Sequence, residues 1–448
     1  MDSYGILNAV MMMKKYEAIC ERLRQEILQG YRKKDDPIPS IRSSVRYFRV
    51  SQTSVERAYA QLQLEGYIYS RPQRGYFVAL SEENRALHEA MMKLPHRPTP
   101  VLIRYDFRSQ SVLAEEGELA IWKQYLKEAM RDQTISSYGD AKGEYALRVA
   151  LMRHALMYRG VLSQVDQIVV GASVQALLYQ LCGMLPRNCR VAIQRGVFVQ
   201  ARRVFEDYGM HVIDIDFAED GHFDLECLKE AAADLLFVHS PSLFELKGFD
   251  DQQRKEFFSY LKSRSILLLE DDHNGELCYL RDSSMALSAM GENTDTVYFG
   301  SFSRILLPSL RISYMILPRR FVRKYQKNKE MYSPSASKFE QLAFAGYISD
   351  GHLRRRIARL KRQYRIKHQI LMEEADRYDL RLLKVEESLT RYYFYEPRAD
   401  QGMADRIRQS GIALDRCSEH CLVLSFAALP MTELSKAFHE LMLLRERK

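Results

Sequence analysis

Two runs in this chain stop on groups that can do chemistry. "SILLLEDDHNGE" ends an apolar, β-prone run on Glu270, Asp271 and Asp272, and "TVYFGSFSR" ends another on Ser301, Ser303 and Arg304, with Arg311 seven residues on. In an open sheet of parallel strands the carboxyl ends share one edge, and ligands gather there. These residues would then surround one crevice with carboxylate, hydroxyl and guanidinium groups. Arg304 would either pair with Asp271 or Asp272 and fill the crevice, or grip an anionic ligand. Polar loops at strand ends give the same pattern without a shared site. "CSEHC", with two thiols and one histidine, falls short of a four-ligand metal set.

The elements that must position these groups are legible as an alternation. The runs "QIVVG", "RVAIQ", "DLLFVHS", "SILLLEDD", "TVYFGS" and "ISYMILP" alternate with helical stretches, which predicts an α/β fold with a mostly parallel central sheet. At 448 residues and 46% apolar, the chain is long enough for two or three domains with buried cores. No run of about 18 apolar residues occurs, and the first residues lack the order of a signal peptide. The expectation is a cytoplasmic protein with no membrane partner. Seven scattered cysteines without a CxxC pair suit a reducing compartment.

The net charge of +8 is unevenly spread. Residues 13–80 carry 13 Lys and Arg against 7 Asp and Glu, and residues 351–369 hold eight bases and no acid. In the first stretch, Ile19, Leu23 and Ile27 follow helical spacing, with Gly30 suited to the helix end. Ser40 caps a second helix with Ile41, Val45 and Phe48 inward, and Ser51 opens a third with Val55, Tyr59 and Leu62 on one face. Gln52, Thr53, Ser54 and Arg57 are left exposed near the start of the third. Two β-prone runs around "RPQRG" then form a hairpin carrying Arg71 and Arg74. This is helix-turn-helix spacing: the third helix would enter a major groove while arginines hold phosphates. The long basic stretch "RRRIARLKRQYRIKHQ" reads as one solvated helix face or as a second, non-specific DNA contact.

Order and spacing in "PSIR", "SQTSVERAYAQLQLEGYI" and "RGYFV" resemble the winged helix-turn-helix of the GntR regulators. From about Trp122 onward the chain resembles the fold-type I, pyridoxal-phosphate-dependent aminotransferase domain of their MocR branch. The carrying motifs are "SSYGDAKGEYALRVALMRHALMYRGV", "GASVQALL", "HSPSLFELKG" and "EDDHNGE". The resemblance implies a winged domain at 13–80 reading DNA through Arg42, Ser51, Gln52, Thr53, Ser54, Arg57, Arg71 and Arg74. It also implies a linker at 81–105, a large aminotransferase-like domain at 106–320 and a small subdomain at 321–448. Gln52 departs from the family's usual arginine.

The same resemblance implies a pyridoxal phosphate site. Asp271 matches the acid that keeps the pyridine nitrogen protonated, Phe198 the stacking ring, and Ser301 and Arg311 the phosphate cradle; Ser173 and Val174 stand in its loop, "GASVQ", which has lost the family's second glycine and its threonine. Tyr138 would be contributed across a homodimer, domain-swapped in this branch. His273 stands where the family has a tyrosine, and Val423 where it has the arginine that clamps a substrate carboxylate. Arg304 stands at the Schiff-base lysine, and a guanidinium with pKa above about 12 cannot form or shuttle through that bond. No catalytic residue is therefore assigned. The expectation is a DNA-binding transcription regulator with a degenerate body that dimerises and senses a small anionic effector, without covalent attachment of the cofactor. An active aminotransferase fused to a DNA-binding domain is the alternative, and a dimerisation scaffold without ligand is the third reading.

Overall fold

The structure, a computed structural model, describes residues 15–81, 103–196, 198–216, 224–243, 249–281, 285–291 and 295–445. The chain divides into two compact units, residues 1–101 and 102–448. The expected linker falls mostly outside the described residues, as does the tail of "HSPSLFELKG".

The first unit holds three helices, α1 (Lys15–Leu28), α2 (Ile41–Phe48) and α3 (Gln52–Leu64), and a hairpin of β1 (Ile68–Arg71) and β2 (Gly75–Val78). Ile19, Leu23 and Ile27 of α1 are buried against Val55, Tyr59 and Leu62 of α3, as their spacing predicts. Ser40 and Ser51 cap α2 and α3, each accepting a backbone N–H three residues on, at 3.2 and 3.3 Å. Ile41, Val45 and Phe48 of α2 face inward as expected, half-buried against this core. The fully buried residue of α2 is Ser44, whose hydroxyl lies 2.7 Å from that of Tyr59. Tyr59 in turn donates to the Pro39 carbonyl at 2.7 Å, so one phenol fixes the turn before α2 and α2 itself. Antiparallel pairing runs from Ile68↔Val78 to Arg71↔Gly75.

In the second unit the helices of six or more residues are α4 (Glu116–Ala129), α5 (Tyr145–Arg159), α6 (Val174–Cys182), α7 (Val199–Asp207), α8 (Glu226–Ala231), α9 (Asp251–Ser263), α10 (Arg319–Lys327), α11 (Lys338–Ser349), α12 (His352–Arg377), α13 (Gln401–Gln409) and α14 (Leu434–Leu443). Its strands are β3 (Tyr105–Phe107), β4 (Ile168–Gly171), β5 (Arg190–Gln194), β6 (His211–Ile215), β7 (Leu235–His239), β8 (Leu267–Asp271), β9 (Thr296–Ser301), β10 (Ser313–Ile316), β11 (Arg381–Glu386), β12 (Arg391–Tyr395), β13 (Ile412–Leu414), β14 (Arg416–Ser418) and β15 (Cys421–Ser425).

Seven strands form the central sheet in the order β4, β10, β9, β8, β7, β5, β6. Pairing is parallel from β9 to β6, and β10 runs antiparallel to both its neighbours. Strands such as "LLLED" are buried along their whole length because helices cover both faces, which is why they read as apolar runs without alternation. Leu177, Leu181 and Phe205 from α6 and α7 pack against Val169, Leu269 and Met315 on one face. Phe257 and Leu261 of α9 pack with Leu236 and Leu268 on the other. A second, antiparallel sheet, in the order β11, β12, β15, β14, shares a large apolar core with α5, α11, α12 and α14.

Candidate functional site

Parallel register places two chemically active residues at one edge. His239 ends β7 opposite Asp271, which ends β8, and Asp271 lies opposite Phe299 near the end of β9. Beyond them lies a cavity of about 430 Å³. Val174, Phe198, His239, Ser242, Asp271 and His273 line it from the large sheet, and Glu386, Leu389 and Arg391 from the second sheet. Of the residues expected at the cofactor, the cavity thus gathers Val174, Phe198, Asp271 and His273.

Asp271 is 4% exposed, and its Oδ1 has no hydrogen-bond partner among the described residues. Burial, followed by the charge of Asp272, pushes its carboxyl up to about 7. A buried, unpartnered acceptor that lines a cavity suits a ligand N–H, which is the demand a protonated pyridine ring makes. Burial and His239 hold His273 neutral, with its pKa lowered to about 3. Burial lowers His239 to about 4. The ring Nε2 of His239 faces the His273 carbonyl at 3.2 Å and must donate to it, so Nδ1 accepts from the Ser242 hydroxyl at 2.6 Å.

The second acid of the motif does a different job. Asp272 accepts from Arg159 Nε at 2.5 Å and Nη2 at 2.9 Å, from Tyr298 at 2.8 Å and from Ser240 at 3.2 Å, all buried. The turn that follows leaves no room for a side chain at Gly275, where an added Cβ would lie 2.1 Å from Asp272 Oδ1. The first acid, Glu270, accepts the backbone N–H groups of Leu287 and Ser288, each at 2.7 Å. Three consecutive acids therefore divide into two structural anchors and one that faces the cavity.

Arg304 corrects one expectation. It is 6% exposed and pairs with neither Asp271 nor Asp272; its Nη2 donates to Thr390 Oγ1 at 2.8 Å. Asp272 is already taken by Arg159, and Thr390 lies in the segment that joins Glu386 to Arg391. Thr390 Oγ1 also lies 2.7 Å from Ser425 Oγ on β15. Arg304 is not among the residues that line the cavity. Neither is any lysine among the described lining residues.

The remaining expected cofactor residues are placed as follows. Ser173 caps α6, accepting from the Ala176 N–H at 3.1 Å. Ser301 is buried at the end of β9, and Arg311 is exposed just before β10. Tyr138 is 94% exposed. His239, Ser242, Glu386, Leu389 and Arg391 escape the sequence reading. The run "DLLFVHS" does close its apolar stretch on His239 and Ser240, a strand-end signal that could have found it. Arg391 opens β12, bonded to Glu386 at 3.0 Å and to the Ser109 hydroxyl at 3.0 Å, and only the packing of the second sheet brings it to the cavity.

In the first unit Arg42, Ser51, Gln52, Thr53, Arg57, Arg71 and Arg74 are exposed and Ser54 is half-buried. Some are engaged locally. Arg57 lies 4.3 Å from the Tyr16 ring centre, Arg71 pairs with Asp35 at 3.1 Å, and Gln52 donates to Glu56 at 2.8 Å.

The aminotransferase class I and II family matches residues 109–441. The chain belongs to that family. Residues 15–78 match the bacterial regulatory proteins of the gntR family. The HTH-type transcriptional regulator YdeL of Bacillus subtilis is 28% identical over 382 residues, 84% of this chain and 82% of that one. The HTH-type pyridoxine biosynthesis transcriptional regulator PdxR of Corynebacterium glutamicum is 26% identical over 360 residues, 79% and 77% of the two chains. MocR of Rhizobium meliloti is 24% identical over 395 residues, 83% and 79%. The homologues are thus HTH-type regulators with an aminotransferase-like domain. Among solved structures, an archaeal alanine:glyoxylate aminotransferase superposes with TM-score 0.64 at 15% identity, covering 80% of this chain and 94% of its own. The kynurenine aminotransferase of Pyrococcus horikoshii gives 0.62 at 20% identity, covering 82% and 95%. These likenesses establish the fold-type I aminotransferase fold.

Proposed function

We propose that the chain is a DNA-binding transcription regulator whose aminotransferase-like body has left catalysis, holds a small ligand and dimerises. The observation that carries the non-catalytic half is the absence of a lysine among the described cavity-lining residues, with Arg304 turned to Thr390. If residue 304 is the Schiff-base position, no amine stands there to attack a carbonyl. The DNA half is supported by the exposed first turn of α3 behind its Ser51 cap, the surface a recognition helix presents to base edges.

The residues present fit the ring end of pyridoxal phosphate: Asp271 would accept its ring N–H and Phe198 would cover its face. Ser301 and Arg311, which do not line the cavity, are assigned to its phosphate by the resemblance alone. Bound there, the cofactor would supply an electron sink. The chain's own contribution is to present the unpartnered Asp271 oxygen to a ligand N–H and to keep His273 a neutral hydrogen-bonding ring. Tyr138, almost wholly exposed, is the residue we assign to the site of a second copy in a domain-swapped homodimer.

Footprinting on the chain's own upstream region tests the DNA reading. Arg42→Ala and Arg57→Ala are expected to weaken protection, and variants that footprint like wild type would count against the assigned face. Light scattering at micromolar concentration is expected to give a dimer without DNA.

A further inference from the structure

The eight bases of residues 351–369 fall on α12, and the structure uses most of them internally. Arg356 is buried on the Glu115 carboxylate and the Ile305 carbonyl, and Arg359 holds Glu118. Arg355, Arg365 and Lys367 donate to the carbonyls of Asp350, Tyr279 and Leu429 at 3.1, 3.0 and 2.6 Å. Most of that run stitches α12 to α4 and to its own surroundings, leaving few free cations.

A shorter helix is basic without that use. α10, "RRFVRKYQK", is fastened by buried Phe321 and Tyr325 and contains five bases and no acid. Arg320 pairs with Asp295 at 3.0 Å, and Lys324 donates to the Met184 carbonyl. Arg319, Arg323 and Lys327 are exposed and have no hydrogen-bond or ion-pair partner among the described residues. They stand at i, i+4 and i+8, one row about 12 Å long at 1.5 Å rise per residue. Laid along the helix axis, that row spans on the order of three phosphates of one strand, at about 3.4 Å of axis per phosphate.

The arrangement is locally unfavourable. Like charges four residues apart on a helix repel. Arg319 and Arg320 add positive charge at the positive end of the helix dipole, and the Pro318 cap position supplies no side-chain acceptor to offset it. Arg320 and Lys324 also line a surface groove with Pro186 and Asn188, which flank exposed Arg187; Asp234 is the acid on that wall. Of the row, Arg319 alone stands at the positive end of the dipole, and Lys327 lies in the last turn; the mutual repulsion of the row is what an external polyanion would relieve.

We propose that the Arg319, Arg323 and Lys327 face of α10 is a second, sequence-independent contact to the phosphate backbone of duplex DNA. It rests on the reading that the first unit binds DNA. The test is anisotropy titration of the full chain with a long mixed-sequence duplex over a range of salt, comparing wild type, Arg319→Gln/Arg323→Gln/Lys327→Gln, and Arg42→Ala/Arg57→Ala. The triple variant is expected to lower the slope of log affinity against log salt by about 2 to 3, at roughly 0.9 per phosphate contact. Its footprint should stay in place, and residues 319–327 of wild type should gain hydrogen-exchange protection on the duplex. An unchanged slope overturns the proposal, as does a slope change seen with single-stranded RNA but not with the duplex. An Arg42→Ala/Arg57→Ala pair that binds like wild type sinks the reading of the first unit instead. Glutamine keeps helix propensity, and matching circular dichroism separates lost contact from lost fold.

Discussion

Arg304 Nη2 and Thr390 Oγ1 are 2.8 Å apart, and this bond joins the turn after β9 to the segment that roofs the cavity. The same roof segment is tied down by Glu387, which accepts the backbone N–H groups of Tyr279 and Leu280, and by the pair of phenols Tyr279 and Tyr392 at 2.8 Å. Arg304 has no carboxylate partner among the described residues, so the Thr390 hydroxyl is the acceptor that accompanies a buried charge.

Thr390→Val removes that acceptor while keeping shape. The stranded guanidinium is expected to cost about 1–3 kcal/mol of stability. Urea unfolding reads it, and hydrogen exchange should rise first in residues 386–395. A midpoint and exchange pattern equal to wild type would show that the bond carries no weight.

Asp271 makes stability depend on pH. Its folded value of about 7 exceeds an ordinary aspartate value near 4, so between those limits the folded chain keeps a proton that the unfolded chain releases. The contribution is fully present below about 4 and lost as pH rises through about 7. Asp271→Asn does not titrate, so it should exceed wild type in stability at alkaline pH, by at most about 4 kcal/mol, and match it near the acid limit. Parallel stability curves across that range would refute the shifted carboxyl.

The buried pair of Arg159 and Asp272 should show a strong coupling. Arg159→Leu alone is expected to lose about 3–5 kcal/mol, because it leaves a buried carboxylate without its cation. Adding Asp272→Asn should recover part of that loss. Additive losses in the double variant would mean that the two groups act independently.

Incubation with pyridoxal phosphate followed by borohydride should leave no reduced cofactor on residues 297–311 of the wild type. Arg304→Lys restores an amine and is expected to gain that mass, with turnover still undetectable because His273 and Val423 are unchanged. Wild-type transaminase turnover, or a wild-type adduct at another lysine, would return the chain to the enzymes.

Much of this was legible where cause is local. The caps at Ser40 and Ser51, the helical spacing of α1 and α3, and the acids that close β8 each depend on neighbours a few residues away. Arg304 was misread because its partner lies 86 residues on, in a sheet whose register no local pattern announces. Arg391 escaped for the same reason, since its place in the cavity wall comes from pairing opposite Ser425. The bases of α12 looked solvated in the sequence because acids that answer them, Glu115 and Glu118, precede them by more than 200 residues.

The four hydrogen bonds that converge on Asp272 are complete without any guest. The turn that carries Asp271 therefore surrenders its conformational entropy when the chain folds, and a molecule arriving later has that ordering already done. Affinity at such a preorganised seat can come from a few polar contacts, because the ordering of the turn adds no further cost on binding.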